Sequence, residues 1–288
     1  MSTTVINSHF ENGRAFGGGG LAIWLTYEVF PFVQNSRVNI INTEFVGNCA
    51  DEHGGAVMVA PSCSLCTSTE VYINRTKFHN NSANRYGGHI FILLKSHPIK
   101  NNLSLLVVNN SHFEGGKAYF GGGITEYMHL LRQYRPDCAH LEQEIHWFMY
   151  ILKSKLYGNV ADTGGGMAIQ FSQSCFTPHV VIDNVSLSRN TAINNTGGNI
   201  HILAQPCTGG NSVTVSRSLV EFGNSSGSGG GMTFNFILDN ECTLSAVRDK
   251  PTTVNICRLN IPVQYCLQAR WQWTCIQVSV ISAYLLQY

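Results

Sequence analysis

The chain has 288 residues, 44% of them hydrophobic and 12% charged, and its formal net charge is +1. That apolar share excludes a disordered chain, and so small a charge gives no electrostatic reason to expect a nucleic acid or a membrane surface as partner. No aromatic-basic run of the kind that stacks and tracks single strands occurs either.

The chain opens inside a repeating pattern. An aromatic or aliphatic anchor recurs at Phe10, Phe45, Phe78, Phe113, Leu156, Leu187 and Phe222, spaced 35, 33, 35, 43, 31 and 35 residues apart. A period in this range marks a repeat architecture. Five residues past the first six anchors stands alanine: Ala15, Ala50, Ala83, Ala118, Ala161 and Ala192, with Gly227 in the seventh unit. Three past the anchor are Asn48, Asn81, Asn159 and Asn190, with Gly13, Gly116 and Ser225 elsewhere. Glycine pairs follow, from Gly19-Gly20 and Gly54-Gly55 through to Gly230-Gly231.

Seven and five residues before the anchors lie Val38/Ile40, Val71/Ile73, Leu106/Val108 and Met149/Ile151, the period of a strand with one buried face. Asn7, Asn42, Asn110 and Asn184 stand three before, with Arg75 and Lys153 as exceptions. One before are His9, Glu44, Lys77, His112, Lys155, Ser186 and Glu221, a column of mixed chemistry that reads as a solvated face. Columns of like residues need like environments. Units with two short strands each, stacked one on the next, supply them by burying a continuous core that no unit could bury alone. Asparagines then form ladders and aromatics stack from unit to unit. The fold expected is a parallel β-helix of about seven coils, roughly 34 Å long at about 4.8 Å per coil.

Two motifs carry a family resemblance. FVGN at 45–48 and FHNN at 78–81 fit F-x-x-N, and GGAV at 54–57 fits GGA-[I/L/V]; LYGN, LSRN, GGGM, GGHI and GGGI are relaxed copies. Over residues 3 to 238 the chain resembles the repeats of chlamydial polymorphic outer-membrane proteins, within the right-handed β-helix, pectin-lyase-like group. The resemblance implies an all-β, right-handed parallel β-helix solenoid and an adhesive role at a cell surface.

Repeats are expected over 3–256, with one long loop insertion at 126–148 and a non-repeat tail at 257–288. In the seventh unit Arg217 falls where an apolar residue belongs, so the register slips there. Val254 to Ile256 is a candidate start of an eighth coil. Trp271 to Tyr288 is an apolar run of 18 residues, the lower limit for a membrane span, and reads either as a transmembrane helix or as a tail outside the fold. Membrane association, if any, runs through that tail. The first ten residues hold no signal peptide and already belong to a repeat, which is the pattern of a fragment or an internal start of a longer protein.

Ten cysteines point to an oxidising compartment. Cys63, Cys175, Cys207 and Cys242 fall 18 to 20 residues past their anchors, on one loop of successive coils. Adjacent coils set such positions within disulfide reach, so Cys207 is expected to pair with Cys175 or Cys242. Sequons begin at Asn74, Asn80, Asn102, Asn109, Asn184, Asn194 and Asn224, which adds to a secreted or cell-surface reading.

Chemistry-bearing motifs are scarce. Cys63-x-x-Cys66 is half a zinc site with no second half, and reads as a disulfide or a turn. Glu11 and Glu114 share an offset three coils apart, and Glu44 faces Lys77 as an opposite-charge pair. A glycosidase needs two carboxylates about 5–9.5 Å apart, and no acid repeats in adjacent units at one offset. No G-x-S-x-G elbow, calcium repeat or phosphate loop occurs. The sequence therefore assigns no catalytic, cofactor or metal residue. It favours a non-enzymatic adhesin or scaffold that binds protein or glycan; a polysaccharide lyase or glycoside hydrolase is the alternative.

Overall fold

The computed structural model describes residues 2–25, 36–61, 69–96, 103–130, 145–171, 176–204, 212–221, 223–227, 230–236, 252–257 and 276–280. They form an all-β parallel solenoid with no helix. Each unit makes four strands rather than the expected two. In the second unit these are Ser36–Ile41, Glu44–Val46, Cys49–His53 and Val57–Pro61. The first kind stacks into sheet one, and the others into sheets two, three and four. Sheets two to four hold seven strands each, one per unit. Complete wraps number about five against the seven expected. Phe10 and Met232, in the end units, are only partly buried.

Three columns of left-handed residues break each of the first six units into its four strands. In the second unit they are Asn42, Gly47 and Gly54, at φ 49°, 62° and 65°. The first column contains Asn7, Asn42, Arg75, Asn110, Lys153, Asn184 and Arg217, all with φ between 47° and 54°. Arg75 and Lys153 are therefore not exceptions to the asparagine column: they take the same bend. Arg217 does too, which corrects the slip. Leu187 pairs with Val220, so Val220 and not Phe222 is the seventh anchor. Ser225, not Gly227, then continues the alanine column beside Ala192. A β-branched residue fills the anchor site as an aromatic does, and choosing the aromatic misplaced the unit by two.

The anchors stack as expected. Ring centroids of Phe10, Phe45, Phe78 and Phe113 are 4.8, 5.1 and 4.7 Å apart, the rings stacked nearly parallel. Around them Val38, Ile40, Val57, Val59, Ile73 and Ile90 are essentially inaccessible to solvent. Two buried polar columns run beside this core. One is hydroxyl-bearing: Thr76 donates to the Asn74 carbonyl and Ser111 to the Asn109 carbonyl, while the Thr76 amide donates to Ser111 of the next coil. The sequons at Asn74 and Asn109 end on these buried hydroxyls, so they arise from two structural columns lying side by side.

The other polar column is the asparagine ladder. Asn48 Nδ2 donates to Asn81 Oδ1 at 3.0 Å and Asn159 Nδ2 to Asn190 Oδ1 at 2.9 Å. Coil four interrupts it with Gly116. There His89, from the coil below, fills the gap: Asn81 Nδ2 donates to its Nδ1 at 2.9 Å, and its Nε2 donates to Asn159 Oδ1 at 3.1 Å. A Cβ on Gly116 would strike the His89 ring. The same device recurs at Gly223, where Asn199 accepts from Asn190 Nδ2 at 2.7 Å and occupies the space beside the glycine. Glycine in the ladder thus makes room for a longer polar side chain of the preceding coil. Burial pushes the His89 pKa down to about 3, so the ring is neutral and fits the donor and acceptor it meets.

Strands Ile124–Leu130 and Ile145–Leu152 occupy both flanks of the 126–148 insertion; residues 131–144 lie outside the described residues. Glu126 falls in register between Ile92 and Ile169 and faces the core, 1% exposed. Burial holds its carboxyl well above the usual range, offset in part by the Trp147 indole. At the far end Thr252–Cys257 adds an eighth strand to sheet one, and Ile276–Val280 pairs with it antiparallel. That strand lies inside the apolar run 271–288, which is therefore not one continuous helix. Among the described residues no helix is long and apolar enough to cross a membrane.

Candidate functional site

The strands of sheet two are three residues long with the anchor pointing in, so the residues before and after each anchor share the outer face. Two columns that look unrelated in sequence meet there. His9 Nδ1 lies 3.3 Å from Glu44 and its Nε2 3.5 Å from Glu11. His79 stands between Glu44 at 4.0 Å and Glu114 at 3.6 Å, and His112 Nε2 is 3.4 Å from Glu114 without hydrogen-bond geometry. Alternating acid and imidazole thus run from Glu11 to His112 across four coils. This corrects the reading of the face as chemically unpatterned, and of Glu44 as the partner of Lys77. Lys77 is the register neighbour of Glu44, but the carboxylate approaches the two histidines instead. Glu11 and Glu44 flank one imidazole, so acids do come together here, through neighbouring offsets rather than a shared one.

Beyond His112 the face carries Lys155 and Tyr157, then Ser186 and Ser188, and ends in Glu221. Lys155 Nζ sits 4.8 Å from the Tyr157 ring centroid and the Arg189 guanidinium 5.7 Å from it. Beside it, where sheet one bends into sheet two on coils four to seven, an open groove of about 460 Å³ follows the corner. Asn110, His112, Lys153, Lys155, Asn184 and Arg217 line it, and no carboxylate does. Arg217 is held by Asp183, just outside the groove, and its hydrogen bond keeps that carboxyl below the ordinary range. Burial pushes the His112 imidazole down, against the pull of Glu114.

Among the described residues no group of three or more His, Cys, Asp or Glu is placed to hold a metal ion. Cys49 is a free thiol. Cys63, Cys66, Cys175, Cys207 and Cys242, with the expected pairing of Cys207, lie outside the described residues. No single motif marked the groove, because its residues come from three columns and four coils. The one clue was the appearance of Arg75 and Lys153 in a column of asparagines. Compared with known protein families, with curated proteins and with solved structures, the chain matches none.

Proposed function

We propose that this chain is a non-enzymatic module of a secreted or cell-surface protein, an adhesin or scaffold that binds protein or glycan along its wall. The groove supports this reading best: it is open, it follows the stacking axis, and its lining offers amides, hydroxyls and cations but no carboxylate to act as acid or nucleophile. The resemblance to polymorphic outer-membrane protein repeats agrees with it. The same proposal takes the winding as right-handed, the hand of about 98% of parallel crossovers. An oxidising compartment belongs to the same proposal, and a Cys207 bridge to Cys175 or Cys242 is sought by peptide mapping under non-reducing conditions.

A polysaccharide lyase or hydrolase is the second reading, favoured by Glu11 and Glu44 on either side of His9. Both readings are tested by incubating the full chain with plant, microbial and animal polysaccharides and with candidate protein ligands, scoring retention and cleavage. Retention without cleavage supports the binding module. Cleavage that disappears in Glu44→Gln overturns it in favour of the enzyme.

A further inference from the structure

Two cations of the groove, Lys153 and Arg217, hold a backbone conformation that favours asparagine. Among the described residues, every non-glycine residue at positive φ is an asparagine or a base. Asparagine tolerates this bend because its short amide bonds locally, whereas a long cationic side chain gains nothing from it. In the first corner column Asn7, Asn42, Asn110 and Asn184 hold four positions, and Arg75, Lys153 and Arg217 hold the other three at φ 51°, 47° and 48°. A strained conformer kept by a residue that does not favour it is a pointer to use. These three fall on coils three, five and seven, so each lies about 9.6 Å from the next at about 4.8 Å per strand.

The outward column alongside adds Lys77, His112 and Lys155 on successive coils. The acids facing this set are few. Asp183 is engaged by Arg217, with Lys153 near enough to help hold its carboxyl down. Glu114 sits against His79 and His112, and Glu44 against His9 and His79. Among the described residues neither Lys153 nor Lys155 is in an ion pair, and both line the groove. Asn110, Asn184 and Ser186 interleave neutral donors and acceptors with them.

We propose that this groove binds the acidic groups of an anionic glycan, with Lys153 and Lys155 as the principal contacts and Arg75 and Arg217 continuing the track on either side. The proposal rests on the glycan-binding reading above and narrows it. A cation on every second coil matches an extended chain with one acidic group per disaccharide, and the intervening amides and hydroxyls suit sugar hydroxyls. The lining offers no aromatic face for bases, since the nearby Tyr157 ring already has Lys155 and Arg189 over it. It offers no apolar ridge for a lipid surface either. Sulfate esters and uronate carboxylates share this chemistry.

The test measures binding of the full chain to immobilised heparin, polygalacturonate and neutral dextran, and to duplex DNA and phosphatidylglycerol vesicles. The parent is compared with Lys153→Asn/Lys155→Ser. These substitutions install residues the two columns already use at Asn184 and Ser186, so the wall is preserved, and an unchanged thermal melt checks this. The expected result is salt-sensitive binding to heparin, polygalacturonate or both, weakened about tenfold or more in the double variant. Heparin alone assigns the site to sulfate esters, and polygalacturonate alone to carboxylates. Equal binding by parent and variant overturns the proposal, as does binding to DNA or vesicles as tight as to the acidic glycan. Retention only on dextran or a protein ligand overturns it while leaving the broader binding reading intact. No retention on any glycan or protein overturns both.

Discussion

Two ladders containing histidine run along this solenoid, one inside the wall and one outside. Inside, Asn48, Asn81, His89, Asn159, Asn190 and Asn199 hand hydrogen bonds from coil to coil in the absence of water. Outside, Glu11, His9, Glu44, His79, Glu114 and His112 stand at 3.3 to 4.0 Å in contact with solvent. The same imidazole does opposite work in the two places. Within the wall each donor and acceptor has one answer, and a missing partner strands a buried polar group. On the surface water replaces any partner that is lost, and the pairs are worth little. The interior ladder therefore fixes how coils stack, while the exterior one is free to vary and to meet ligands.

That contrast can be broken from its strongest side first. His89→Ala leaves Asn81 and Asn159 short of partners and opens a cavity, and is expected to lower stability by about 2–4 kcal/mol in urea unfolding. Acid should sharpen the same point. His89 binds its proton near pH 3 when folded and near 6.5 when unfolded. The unfolded state thus holds more protons between those values, and stability falls as pH drops through that window, by up to about 1.4 kcal/mol per pH unit. Comparing the pH dependence of parent and His89→Ala isolates this contribution.

Glu126 gives the opposite sign. Its folded carboxyl keeps its proton above the unfolded value, so it weakens the fold as pH rises beyond about 4.5. Replacing it with Met should raise stability at neutral pH by about 1–3 kcal/mol, read as a higher melting temperature. The smallest effect belongs to the outer ladder: Glu44→Gln should change stability by less than about 1 kcal/mol. A larger loss there would erase the distinction between the two faces.

Much of this wall is readable in the chain. The phenylalanine stack, the alanine column and the asparagine ladder each repeat a residue type at one offset, and identical environments select identical side chains. What escaped notice has a different grammar. His89 and Asn199 complete a column to which they do not belong, because a glycine one coil on leaves them space. Arg75, Lys153 and Arg217 share a backbone conformation with asparagine but not a chemistry. The outer acids and histidines meet because residues on both sides of an anchor point outward, so their offsets differ by two. In each case proximity comes from the geometry of neighbouring coils, which a search within one column does not see.

Nuclear magnetic resonance of the His89 side chain is the most direct test of the stacked-coil account. Nitrogen-15 shifts should report a neutral ring protonated on Nε2 from pH 7 to below pH 4 for as long as the protein stays folded. They should also show a hydrogen-bond coupling to Asn81 across the Nδ1 acceptor. A ring that takes up a proton near pH 6.5 in the intact protein would place His89 outside the ladder, and the coils would not be stacked in this register.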